Sequence, residues 1–253
     1  MAYKCKKCGG ICSKEGNGKY ECPFCGSVFT EEDFEPKRKN VSSSAMETEK
    51  GDVGVKVFDR NVNGVLEIST QIGRGSGYLI SDDGYAITNS HVVSLDTGKS
   101  CVRCSVKVAG ETVSAVVVAM GTENNSMHCS NSDLALIKLS YVPSTAIPLR
   151  FGKSYNVRTG ERIFVIGNSL GFGTCITSGI VSDNDRNGQL MYDCPTNPGN
   201  SGGPVFNSDG LVIGTHVAGT SPKGVKVQGM NIAIPASAVI QFLKAHKIKI
   251  QLD

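Results

Sequence analysis

Residues 197–214 read NPGNSGGPVFNSDGLVIG, and the reading of the six residues GNSGGP (199–204) decides what kind of chain this is. A serine hydroxyl is a poor nucleophile until a base takes its proton, and the oxyanion it creates must meet preorganised N–H donors. Glycines at 199, 202 and 203 suit a tight turn that presents the Ser201 hydroxyl, with Asn200 beside it, and aims the Gly199 and Ser201 amides into one pocket. The same six residues could be a Gly-rich hairpin turn, so the rest of the chain must choose.

Two other segments supply the partners that acyl transfer needs. YAITNSHVV (85–93) ends an apolar run in a polar turn holding His91, the placement of a general base on a strand end. Of the other histidines, His128 and His246 fall in a polar loop and a terminal helix, whereas His216 follows Ser201 in the next strand and is the rival for the cleft. NSDLALIKL (131–139) opens an alternating strand with Asp133, a rigid site from which a carboxylate holds the imidazole. Asp183 and Asp185 lie in a loop rich in Asn and Gly, and Asp96 is too close to His91.

Around these segments run short apolar or alternating stretches such as GSGYLIS, SVKVAG, VSAVVVAMG, RIFVIG and CITSGIVS, broken by Gly, Asn, Asp and Ser. Many short strands cornered by glycine predict closed antiparallel barrels, an all-β architecture. Only PASAVIQFLKAHK (235–247) reads as a helix. The 253 residues hold 30 glycines, and no apolar stretch is long enough to span a bilayer. A net charge of +3 gives no argument for nucleic acid as an obligatory partner.

Five of the ten cysteines fall in the first 25 residues. Cys5 with Cys8, and Cys22 with Cys25, form two C-x-x-C pairs, each followed by a glycine. Four thiolates at this spacing predict a closed, structural Zn2+ site without catalytic metal chemistry, and so small a module needs metal to fold. Two disulfides are the competing account. The start MAYKCKKCGG has no apolar stretch of a secretory signal, so a reducing, cytoplasmic home is expected, with Cys12, Cys101, Cys104, Cys129, Cys175 and Cys194 as reduced thiols. The expected organisation is a zinc ribbon over 1–29, a flexible linker over 30–52 and a large domain over 53–253. For the ribbon, docking of a regulatory protein is expected rather than nucleic acid, and no membrane.

The order His91, Asp133, Ser201 within TNSHVV, SDLALIKL and NPGNSGGPVFNSDGLVIG resembles the chymotrypsin-like (trypsin-fold) serine proteases, most closely their HtrA (Deg) branch. GRGSGYLISDDGYAITN (73–89), VIGNSLGFGTCITSGIVS (165–182) and GMNIAIPASAV (229–239) are similar to further blocks of that family, in order. The resemblance implies two six-stranded antiparallel β-barrels and a C-terminal helix, with His91 and Asp133 from the first barrel and Ser201 from the second. It implies a serine endopeptidase acting on protein or peptide substrates, with a His91–Asp133–Ser201 triad and an oxyanion hole at Gly199, Asn200 and Ser201. It also implies control by loop ordering or a partner rather than by a new amino terminus, with self-association left open. The usual HtrA secretory leader and PDZ domains are not seen. Trypsin-like recognition of Lys or Arg uses an Asp six residues before the nucleophile, where this chain has Pro195. A pocket of Pro195, Thr196, Ile213, Thr215, His216 and Val217 is therefore expected to favour small aliphatic residues. The competing function is a latent or inactive protease fold that binds peptides while the ribbon docks; retention of all three triad residues argues for the enzyme.

Overall fold

The computed structural model describes residues 12–14, 18–23, 25–30, 33, 52–71, 73–94, 103–121, 131–152, 157–219 and 229–248. Compactness divides the chain into two units, Met1–Glu49 and Lys50–Asp253. In the first, β1 (Ser13–Lys14), β2 (Lys19–Glu21) and β3 (Val28–Thr30) form an antiparallel sheet in that order. Tyr20 and Cys22 are buried with Cys12 beside Phe29. Between β2 and β3 the chain turns tightly: Gly26 N–H donates to the Cys22 carbonyl at 2.8 Å, and Gly26 sits at φ +67°, the left-handed region that glycine enters without strain. Cys5, Cys8 and nearly all of the expected linker lie outside the described residues, as do Cys101 and Cys129.

The second unit opens with a helix where the sequence reading has none. α1 (Val53–Asn61) is capped by Asp52, whose carboxylate accepts from Gly54 N–H at 2.8 Å. Its VKV alternation imitates a strand, but the cap starts a helix that buries Val57 in the core between the barrels. The first barrel comprises β4 (Val65–Ser69), β5 (Arg74–Leu79), β6 (Tyr85–Thr88), the one-turn helix α2 (Ser90–Val93), β7 (Arg103–Val108), β8 (Glu111–Met120) and β9 (Ala135–Leu139). Its strands close antiparallel in the order β4-β5-β6-β9-β8-β7. The second comprises β10 (Arg162–Asn168), β11 (Thr174–Arg186), β12 (Gln189–Tyr192), β13 (Pro204–Phe206), β14 (Val212–Gly219) and β15 (Asn231–Pro235), closed as β10-β11-β12-β15-β14-β13. The C-terminal helix expected from the sequence is α3 (Ala236–Ala245). Among the described residues no helix is long and apolar enough to cross a membrane.

Side-chain alternation with a period of two sorts each strand between two cores. On β9, Ala135, Ile137 and Leu139 fill the first barrel with Leu66, Ile68, Leu79 and Val106. The intervening Leu136, with Leu134, faces a second apolar layer made with Tyr78, Phe164, Ile166, Phe206 and Val217. The second barrel has its own filling around Ile163, Val165, Leu190, Tyr192 and Ile213. Polar contacts pin the joint: the Tyr78 and Thr215 hydroxyls meet at 2.8 Å, fully buried, from opposite barrels. Burial pushes the Tyr78 phenol far above its ordinary range, so it stays a neutral hydroxyl.

Tyr78→Phe leaves the buried Thr215 hydroxyl without this partner and is expected to cost about 1–3 kcal/mol. Urea denaturation checks this, and an unchanged midpoint would show that the joint does not depend on the pair.

Candidate functional site

The structure brings His91 and Asp133 together on the first barrel. α2 follows β6, and β6 pairs with β9, so the turn carrying His91 lies beside the residue that precedes β9. The Asp133 carboxylate makes two bonds: Oδ2 accepts from His91 Nδ1–H at 2.6 Å and Oδ1 accepts from the His91 backbone N–H at 3.1 Å. The surrounding backbone is fixed as well, because Asn89 Nδ2 donates to the Asp133 carbonyl at 2.7 Å and Ser90 Oγ to the Leu134 carbonyl at 2.7 Å. With its Nδ1 held by a nearly buried carboxylate (side chain 9% exposed), the imidazole, 28% exposed, has its orientation set.

Ser201 stands on the turn before β13. Its Oγ donates to the Val217 carbonyl at 2.9 Å, and the turn is laced to β14 by Gly202 N–H to the His216 carbonyl (2.9 Å) and His216 N–H to the Gly203 carbonyl (2.8 Å). Gly202 adopts φ +84°, and a Cβ there would stand 2.3 Å from the Ser76 carbonyl oxygen. Gly199, at φ +100°, would set a Cβ 2.2 Å from the Asn168 carbonyl oxygen. Both positions therefore require glycine.

The Pro198–Gly199 peptide has a fixed orientation. Leu170 N–H donates to the Pro198 carbonyl at 2.7 Å, and in a trans peptide this turns the following Gly199 N–H to the opposite side. Among the described residues no acceptor meets the Gly199 or Ser201 N–H. Asn200 is buried, with its backbone N–H on the Asn197 carbonyl at 3.1 Å.

A residue that the sequence reading passed over ties the two barrels at this point. Ser76, from β5, donates its hydroxyl to the Gly199 carbonyl at 2.7 Å and accepts from Asn168 N–H at 2.8 Å. Its backbone N–H donates to the Ser201 carbonyl at 2.8 Å, and its own carbonyl accepts from Thr88 Oγ1 at 2.7 Å. The one hint in the sequence is its setting between Gly75 and Gly77: at Gly75 a Cβ would lie 2.6 Å from Val92 and 3.2 Å from the Ser201 carbonyl oxygen.

The expected pocket residues separate. Ile213 is in the second barrel's core, Val217 in the layer between barrels, and Thr215 against Tyr78. These side chains are packed inside the protein, and His216 is buried as well, whereas Pro195 is exposed and Thr196 half-buried. Thr196 Oγ1 donates to Asn231 Oδ1 at 2.6 Å, and His216 Nδ1 lies 2.5 Å from the Tyr192 hydroxyl. Burial, with His91 adding a smaller like-charge effect, pushes the His216 imidazole down to about 3. Burial likewise pushes the Cys194 thiol up to about 12 and makes it inert. The rivals for triad roles lie apart: Asp183 and Asp185 are on the outlying end of β11, and His246 caps α3 with its Nδ1 at the Phe242 carbonyl.

Residues 75–214 match the trypsin-like peptidase domain family. A probable periplasmic serine endoprotease, DegP-like, of Brucella suis is 36% identical over 180 residues, covering 67% of this chain and 32% of that protein. Its namesake from Chlamydia pneumoniae is 37% identical over 177 residues, covering 66% and 33%. The chain thus spans about a third of the length of the curated relatives it matches. The serine endoprotease from Yersinia pestis superposes with a TM-score of 0.61 at 25% identity, over 76% of this chain and 65% of that one. The HtrA-type protease AlgW with tripeptide gives 0.61 at 27% identity, over 77% and 64%. These relatives correct the cytoplasmic home expected from the amino terminus and the cysteine count: they are named periplasmic, which points to the periplasm rather than the cytoplasm. The zinc module gains no support from the family match, which begins at residue 75.

Because the His216 imidazole titrates near 3 in the fold and near 6.5 in an unfolded chain, only the unfolded chain binds this proton between those values. Its contribution to stability is complete above pH ~6.5 and is lost as pH falls, with a slope of up to about 1.4 kcal/mol per unit. Urea titrations from pH 4.5 to 7 are expected to show a flatter slope in His216→Gln; identical slopes would assign the pH dependence to other groups.

Proposed function

The chain belongs to the trypsin-like peptidase domain family, and on that footing we propose that it is a serine endopeptidase hydrolysing peptide bonds of protein substrates. Ser201 is the nucleophile, His91 takes its proton and returns it to the leaving amine, and Asp133 orients the ring and stabilises the imidazolium. The developing oxyanion is met by the Gly199 and Ser201 amides, with Asn200 shaping the turn between them. The observation that carries this reading is the paired bond from His91 to Asp133, at 2.6 and 3.1 Å, together with a Ser201 turn whose Gly199 and Ser201 amides meet no acceptor among the described residues.

Control follows from the same geometry. The Pro198 carbonyl is held by Leu170, a non-glycine residue at φ +55° in the turn Ser169–Gly171, and the next residue, Phe172, is 90% exposed. Letting go of that carbonyl allows the peptide to turn over and withdraws the Gly199 donor. A protein partner that grips this apolar turn therefore sets whether the oxyanion site is formed.

The test is fluorophosphonate labelling and casein cleavage by the full chain and by Ser201→Ala. Both are expected to fall by more than about 10⁴-fold in the variant. Cleavage that survives in Ser201→Ala would remove the nucleophile assignment.

We propose further that Cys5, Cys8, Cys22 and Cys25 hold one structural Zn2+ in a ribbon that docks regulatory partners. The tight turn from Cys22 to Gly26, with its 2.8 Å backbone bond, supports the second pair as a ligand-bearing turn. Elemental analysis is expected to give one zinc per chain and none in Cys22→Ser. A metal-free protein whose four cysteines resist thiol titration would establish two disulfides instead.

A further inference from the structure

On the endopeptidase reading above, the substrate crevice lies beside the Ser201 turn, and the donors and acceptors that His216 and Thr196 hold there name a substrate side chain. Tyr192 is fully buried, and burial pushes its phenol well above the ordinary range, so it keeps its proton. The only acceptor that meets this hydroxyl among the described residues is His216 Nδ1, at 2.5 Å. The phenol therefore donates to Nδ1, and the proton of the neutral imidazole is placed on Nε2. No partner among the described residues meets that Nε2–H.

Thr196 is fixed in the complementary sense. Asn231 Nδ2 donates to the Cys194 carbonyl at 2.6 Å and to the Tyr192 carbonyl at 3.4 Å, which settles its amide orientation and makes Oδ1 an acceptor. The Thr196 hydroxyl spends its proton on that Oδ1 at 2.6 Å, leaving only lone pairs to offer. Both side chains belong to the walls of the nucleophile turn. His216 takes Gly202 N–H on its carbonyl, and Thr196 lies five residues before Ser201.

Among the described residues the walls thus present one neutral donor and one neutral acceptor. Neither 192–201, 214–219 nor 229–233 contains a Lys or Arg. A primary carboxamide fits this pair, its oxygen accepting from His216 and its NH2 donating to Thr196. A carboxylate meets the Thr196 lone pairs with no NH2 and finds no cation among the described residues of these walls. An aliphatic side chain leaves a desolvated donor and acceptor unpaired, the arrangement by which polar sites reject isosteres lacking a hydrogen bond. The groups to be met are set back, His216 being 2% exposed, so the amide must reach into the wall on a two-methylene stem. The geometry points to glutamine as the P1 residue, the one on the amino side of the scissile bond, with His216 and Thr196 as the specificity residues and Tyr192 as the positioning residue that fixes the His216 tautomer. This replaces the small aliphatic P1 residue expected from the sequence.

The experiment is cleavage by the full chain of a peptide set identical except for Gln, Glu, Leu, Ala or Lys at P1, read as kcat/KM with product sites mapped by mass spectrometry. Glutamine is expected to lead each of the others by about 10² or more. Thr196→Val is expected to narrow the Gln-to-Glu ratio. Tyr192→Phe frees Nδ1 to take up a proton and is expected to raise Glu cleavage as pH falls from 8 to 6, a trend absent from the wild type. Should Tyr192→Phe not fold, the wild-type P1 profile alone decides. Cleavage that favours Leu, Ala, Glu or Lys, with Ser201 labelled by fluorophosphonate, overturns the glutamine assignment and leaves the endopeptidase intact; no labelling and no cleavage of any peptide overturns both.

Discussion

Everything at the site depends on the hydroxyl and backbone of Ser76. It is a first-barrel residue, yet its four hydrogen bonds reach Gly199, Ser201 and Asn168 of the second barrel and Thr88 of its own, at 2.7 to 2.8 Å. One small side chain fully enclosed between barrels thus sets the height of the Ser201 turn against the strand that leads to His91. Glycine at 75, 167 and 202 is the steric counterpart: a Cβ would stand 2.8 Å from the Ser76 hydroxyl at 167, 2.3 Å from the Ser76 carbonyl oxygen at 202 and 3.2 Å from the Ser201 carbonyl oxygen at 75. A close approach of two backbones needs both a polar tie and the absence of side chains, and here the two coincide.

Much of the fold was legible because barrel strands write their two faces alternately into the chain. DLALIKL is an example: its odd and even residues go to different cores, and the aspartate before them was readable as rigidly placed. α1 was not legible, since β-branched valines at alternate positions look like a strand and only the Asp52 cap and the inter-barrel layer make a helix of them. That His91 and Asp133 stand together was readable since each sits where a polar stretch meets an apolar strand. Ser76, Tyr192 and Asn231 were not, because their roles come from partners 24 to 123 residues away that no window of sequence contains.

The electrostatics of the crevice run opposite to those of the His91 side. There a carboxylate orients an imidazole and stabilises it when it gains charge; at His216 a phenol orients an imidazole and burial denies it charge. On the proposed mechanism the two histidines do different work, one moving a proton and the other only presenting it. The disparity arises from one partner atom in each case, a carboxylate oxygen or a hydroxyl, and from access to water.

The division of the site between barrels also governs when it comes into being. The residues that close the first barrel end at Leu139, while the nucleophile turn and β14 follow more than sixty residues later in the chain. A nascent chain that has completed its first barrel holds His91 against Asp133 but has no serine beside them. The ties from Ser76 to residues 199 and 201 form only when the second barrel docks, which makes them among the most non-local contacts in the protein and late to assemble. On the proposed mechanism, a ribosome-bound or half-folded chain is therefore harmless to its neighbours: completion of the fold is itself the first safeguard on its chemistry.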